Sequence, residues 1–141
     1  MASFKTTALI VFVSFVALNN IKHSIAIPEE MLELANMLHH TCQDETGASE
    51  DAIVNCRKGE FADDPKLKCY MHCLMDQMAV VDDDGVIDED GMIAMMPDEM
   101  KDVANKIIRG CGTKRGADVC DTAFQTHKCW YAASPKDYFL P

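Results

Sequence analysis

The residues of this chain best able to do chemistry are its seven cysteines: Cys42, Cys56, Cys69, Cys73, Cys111, Cys120 and Cys129. Thiols at that density bind metal, act as nucleophiles or oxidise to disulfides, and the compartment decides among these. His72 and His127 are the histidines that would complete a zinc site, and Cys56 with a histidine would make a nucleophilic pair. Neither arrangement has a motif behind it, and Cys56 stands on a helical stretch beside Ile53, Val54 and Asn55. The run Asp82-Asp83-Asp84-Gly85 invites a calcium loop. With Gly85 as the loop glycine the end positions fall on Val80 and Gly91; with Gly91 they fall on Val86 and Pro97, and none of these suits an EF-hand. There is no serine elbow, phosphate loop or paired-carboxylate motif. The residues predict a protein that is not an enzyme and uses no metal or cofactor.

The start of the chain selects the disulfide reading. Lys5 precedes an apolar run from Ala8 to Leu18, and Ser24-Ile25-Ala26 puts small residues where a signal peptidase cuts. Residues 1–26 are expected to be a secretory signal peptide, leaving 27–141 as one domain. The apolar run is far shorter than the roughly 20 residues a helix needs to span a bilayer, so no stable membrane insertion is expected. In an oxidising compartment the cysteines form a disulfide framework with one thiol over. The chain holds 13 basic and 23 acidic residues, and two of the bases, Lys5 and Lys22, lie in the leader. Such an acidic domain repels phosphate backbones, which argues against nucleic acid as a partner.

The elements that position these cysteines read as about six helices in an all-α domain. Pro28 opens a helix reaching His40, with Met31, Leu34, Leu38 and Cys42 on one face. Ser49 caps a second that stops at Gly59, and Asp64-Pro65 opens a third through Met78. Asp82 to Gly85 is a turn, followed by a short helix from Glu89 to Met95. Pro97 starts the clearest amphipathic segment, with Met100, Val103, Ala104, Ile107, Ile108 and Cys111 at steps of three and four. A last helix spans Ala117 to Tyr131, and residues 132–141 form a tail ending in Tyr-Phe-Leu-Pro.

With Cys56 set aside, the gaps between successive cysteines are 26, 3, 37, 8 and 8 residues. Cys69 and Cys73 share one face of a single helix, and each must reach a different partner. Spacing alone does not give the pairing. Several local words accompany the spacing: Lys66-Leu67-Lys68-Cys69-Tyr70-Met71-His72-Cys73-Leu74, Val80-Val81-Asp82-Asp83-Asp84-Gly85, Ala123-Phe124, His127-Lys128-Cys129-Trp130 and Pro135-Lys136-Asp137-Tyr138-Phe139-Leu140. Together they resemble the six-cysteine odorant-binding proteins of insects, in the pheromone-binding-related, mosquito-type branch with a medium-length tail. The resemblance implies a fold of about six helices around an apolar cavity, stapled by three interlocked bonds: Cys42–Cys73, Cys69–Cys120 and Cys111–Cys129. Each closure contributes roughly 3–4 kcal/mol in the chain-entropy model. Cys56 is left as a buried free thiol, or as the link in a disulfide-bonded homodimer.

By the same resemblance the cavity is walled by Leu74, Met75, Met92, Met96, Met100, Ala104, Ile107, Ile108, Phe124, His127, Trp130 and Phe139. Tyr138, Phe139 and Leu140 are expected to bring the tail over it as a lid. Pro141 would be anchored near the first helix, by His39 or His40, and protonation there would loosen the lid. Methionine suits such a wall because it adapts to irregular apolar shapes. Trp130 offers a flat face and one N–H, and His127 a ring nitrogen of either character. The implied function is a secreted carrier of small hydrophobic volatile ligands, odorants or pheromones, through sensillar lymph to an odorant receptor. The alternatives are an extracellular carrier of other apolar ligands outside olfaction, or a signalling protein with a filled core.

Overall fold

Helix starts are set by short polar side chains. In the computed structural model, which describes residues 28–141, Ser49 Oγ accepts from the Ala52 N–H at 3.2 Å and opens α2 (Glu50–Arg57). Asp64 accepts from Lys66 N at 2.9 Å and opens α3 (Pro65–Gln77), with Pro65 in the first turn. Asp88 caps α4 (Glu89–Ala94) through Gly91 N, and Asp118 caps α6 (Val119–Ala133) through Asp121 N. Each oxygen satisfies an N–H that the first turn leaves unpaired. Two helices follow proline instead: α1 (Glu29–Thr46) after Pro28 and α5 (Asp98–Cys111) after Pro97.

Helix α1 runs past the predicted stop at His40 to Thr46. Gly47 ends it in the left-handed region at φ 67°, its N–H bonded to Gln43 at 2.8 Å. The inward face also differs from the expected one. Ala35, Leu38 and Cys42 are buried, whereas Leu34 is 46% exposed. The acidic run closes a turn: Asp82 Oδ1 accepts from Asp84 N and Val86 N, and a single antiparallel bridge pairs Val81 with Ile87. Among the described residues no cluster of histidine, cysteine and acidic side chains could hold a metal.

Helix α3 is the hub. It packs on α6 along its length and on α1, while α5 packs on α4 and α6. The disulfides follow these contacts. Cys42–Cys73 ties α1 to α3, Cys69–Cys120 ties α3 to α6, and Cys111–Cys129 ties α5 to α6. That is the interlocked pairing the resemblance implies. Cys69 and Cys73 therefore clamp α3 on two sides. The core between these helices contains Ile53, Leu67, Tyr70, Met71, Leu74 and Met75, all at most 1% exposed. The expected signal peptide, 1–26, lies outside the described residues.

Candidate functional site

Helix α6 carries His127 and Trp130 one turn apart, with their rings crossing at 4.7 Å between centroids. His127 is 5% exposed, and its one hydrogen-bond partner among the described residues is a tyrosine hydroxyl. Burial alone pushes its pKa down to about 3, so the ring is neutral. Its Nδ1 is 2.9 Å from the Tyr138 hydroxyl. Its Nε2 and the Trp130 Nε1 are both buried and have no hydrogen-bond partner among the described residues.

The tail reaches back across α6 to this pair. Ser134 Oγ donates to Asp137 at 2.6 Å and turns the chain after α6. Tyr138 then enters an aromatic group with Phe61, Tyr131 and His127. Its hydroxyl lies within reach of the Cys56 thiol, and burial raises the pKa of both groups, that of Cys56 to about 11. Leu140 is buried, and its carbonyl accepts from Arg57 Nε at 2.9 Å. The Tyr70 hydroxyl donates to the Pro141 oxygen at 2.6 Å. His39 stands behind that contact, with Nδ1 2.8 Å from the Tyr70 oxygen and Nε2 3.0 Å from Glu50. The anchors that touch the tail end are thus Tyr70 and Arg57, with His39 one contact removed. His40 is exposed.

The expected wall residues fall into several groups. Leu74, Met75, Met92, Ile108, Phe124 and His127 are buried in the interior. Met96, Ala104, Trp130 and Tyr138 are half-buried and pack against the same core. Met100 and Ile107 are half-buried on α5. The ring of Phe124 meets Phe61 edge-on and has the Lys68 and Lys128 ammonium groups 5.1 and 5.6 Å from its centroid. Phe139 stands apart, 44% exposed. It helps line a cavity of about 670 Å³ with Leu32, Ala35, His39, Gln43, Arg57, Leu140 and neighbouring residues of α1, α2 and the tail. Tyr138 and Leu140 border that cavity too, so the tail forms part of its wall.

The model of the PBP/GOBP family matches residues 25–133. The chain is 30% identical over 113 residues to general odorant-binding protein 69a of Drosophila melanogaster, covering 79% of this chain and 76% of that protein. It is 38% identical to the structure of odorant binding protein 7 from Anopheles gambiae, solved with four disulfide bridges and an azo compound. That match has a TM-score of 0.70 and covers 77% of this chain and 89% of the other. Odorant binding protein 4 of Chrysopa pallens superposes with a TM-score of 0.74 at 31% identity, covering 82% of this chain and all of that one.

Proposed function

The chain belongs to the PBP/GOBP family, whose members carry small hydrophobic ligands and are not enzymes, and on that premise we propose that it carries odorants or pheromones to olfactory receptors. In this reading the leader, 1–26, sends the protein out of the cell into sensillar lymph. Leu74, Met75, Met92, Met96, Met100, Ala104, Ile107, Ile108, Phe124, His127 and Trp130 surround the ligand. The tail, 132–141, covers it with Tyr138, Phe139 and Leu140. No helix among the described residues is long and apolar enough to cross a membrane.

One observation carries the reading. Helix α5 is the most amphipathic helix, yet it buries only Ile108 and Cys111. Met100, Val103, Ala104 and Ile107 are the rest of its apolar stripe, and all four remain half-buried. A close-packed core would shut on them. A stripe left incompletely covered is what a ligand needs, because binding then removes apolar area from water at roughly 25 cal/mol per Å².

The test is titration of the folded protein with phenylnaphthylamine, a probe that fluoresces in apolar surroundings. Saturable uptake, displacement by hydrophobic volatiles and a change in Trp130 emission support the carrier. No uptake identifies a filled core and refutes it. Native mass spectrometry of protein taken from its source tissue then distinguishes an olfactory ligand from another apolar cargo.

A further inference from the structure

We infer that the cavity between α1, α2 and the tail is a second binding site, separate from the interior one, and that it takes an amphipathic anion: a carboxylate held by Arg57, with an apolar chain laid against Leu32 and Phe139. This goes beyond the carrier reading and does not rest on it.

The cavity measures about 670 Å³, within the roughly 300–1,000 Å³ of small-molecule sites. Its apolar walls come from two elements, Leu32 and Ala35 on α1 and Phe139 and Leu140 on the tail. Leu32 is 43% exposed and Phe139 44%, so two large apolar side chains meet water at the same cavity. An apolar chain seated there removes that area from water.

The polar side of the cavity is rich in donors. Arg57 Nε donates to the Leu140 carbonyl at 2.9 Å. The outer nitrogens have no hydrogen-bond acceptor among the described residues, since Nη1 stands 3.7 Å from Glu50 Oε1. They carry the rest of the guanidinium's N–H donors in a planar fork, and guanidinium cannot accept. Glu50 Oε2 is already engaged by Gln43 Nε2 at 3.2 Å and faces His39 Nε2 at 3.0 Å. The chain has 23 acidic residues against 13 basic, yet Glu50 is the one acid on this lining, beside Arg57, His39 and His40.

The head group follows from that fork. Arg57 repels a cation. A pure hydrocarbon covers the guanidinium and brings it no acceptor, which is costly. A neutral ester brings oxygen without charge. A carboxylate brings two oxygens that match the fork through charge-assisted bonds.

The test compares decanoate with methyl decanoate, which keeps the chain and removes the charge, on the folded protein at neutral pH. Amide shifts in NMR spectra locate the ligand, and their titration gives its affinity at that place. Decanoate should move Ala35, Asn36 and Phe139 and bind there about tenfold more tightly than the ester. Two charge changes then act in opposite directions. Glu50→Gln removes the competing acid and should tighten decanoate about threefold while leaving the ester unchanged. Leu32→Glu, at an exposed position, should weaken decanoate more than the ester. Shifts confined to interior residues such as Met92 and Ile108, or no binding of decanoate at all, overturns the inference. So does equal affinity for decanoate and its ester, or a Glu50→Gln protein that binds decanoate no more tightly.

Discussion

The Tyr70 hydroxyl and the Pro141 oxygen meet at 2.6 Å although 71 positions separate them in the chain. Tyr70 is fully buried on α3, the helix that two disulfides already hold, so the tail end is fastened to the most constrained element of the fold. Replacing Tyr70 with phenylalanine keeps the ring and removes the donor. The Pro141 oxygen and His39 then both lose a partner, and a loss of about 1–3 kcal/mol is expected. Chemical denaturation measures it. The tail should also become more sensitive to limited proteolysis, and an unchanged cleavage rate would show that Arg57 alone holds it.

The row Glu50, His39, Tyr70, Pro141 contains three contacts, at 3.0, 2.8 and 2.6 Å. Both ends only accept, so three bonds need three protons. Tyrosine supplies one and neutral imidazole one; imidazolium supplies two. Only protonated His39 completes the row. Neutral His39 leaves the Tyr70 proton shared between Pro141 and the imidazole. The sequence reading has protonation loosen the tail, whereas the proton count gives the opposite sign at this end of it. Arg57, 3.7 Å from Glu50, and His40, its ring 5.4 Å from that of His39, are the other charged or titratable groups beside the row. Amide exchange at Leu140 should quicken in His39→Phe, which removes both ring nitrogens from the row. An unchanged rate would show that the row does not hold the tail.

His127 acts in the other direction. Its folded pKa, about 3, lies below the ordinary 6.5 because the ring is buried. The unfolded chain therefore takes up a proton that the folded chain refuses. Stability from this residue is complete above about 6.5 and is lost as pH falls toward 3, at up to about 1.4 kcal/mol per unit. Urea unfolding across that range should show the slope, and His127→Phe should flatten it relative to the unmodified protein. Parallel slopes for the two would mean that acid acts elsewhere.

The framework was legible in the sequence because cysteines and caps act locally. Cys69 and Cys73 at i and i+4 dictate a helix clamped on both sides, and Ser49 and Asp64 mark helix starts by chemistry that needs no distant partner. The end of α1 was not legible, because the turn after His40 is mostly polar and its cap, Gly47, lies beyond it. Nor were Tyr70 and Arg57 as anchors, since each meets the tail across more than 70 positions. Their one signal was polarity on otherwise inward-facing helices. An apolar stripe also reads the same whether it faces core or ligand. Phe124 was expected on the wall, and its ring packs beneath two lysines and against Phe61, whereas the half-covered Met100 and Ile107 distinguish themselves only in three dimensions.

Gly59 gives a test of how α6 is seated. It sits at φ 94°, and a Cβ there would come within 2.5 Å of the Tyr131 ring, whose hydroxyl donates to the Lys58 carbonyl at 2.8 Å. Gly59→Ala therefore adds backbone strain to a clash with an aromatic ring held in place. A loss of about 1–3 kcal/mol is expected, read as a lower thermal midpoint with helix content unchanged. A neutral substitution would show that Tyr131 swings aside freely.

Cys56 is the odd thiol, and its surroundings predict that it is inert. It has no exposed surface, and burial pushes its pKa up to about 11, so almost no thiolate exists at neutral pH. A second chain could not reach the sulfur without opening α2, which argues against the disulfide-linked dimer. Iodoacetamide at neutral pH should leave the native protein unmodified and add one adduct in guanidinium with the disulfides intact. Non-reducing electrophoresis should show monomer. Ready alkylation of the native protein, or a covalent dimer, would mean that the segment around Cys56 opens in solution. Because Cys56 and Tyr138 share a contact, such opening would also release the tail from His127.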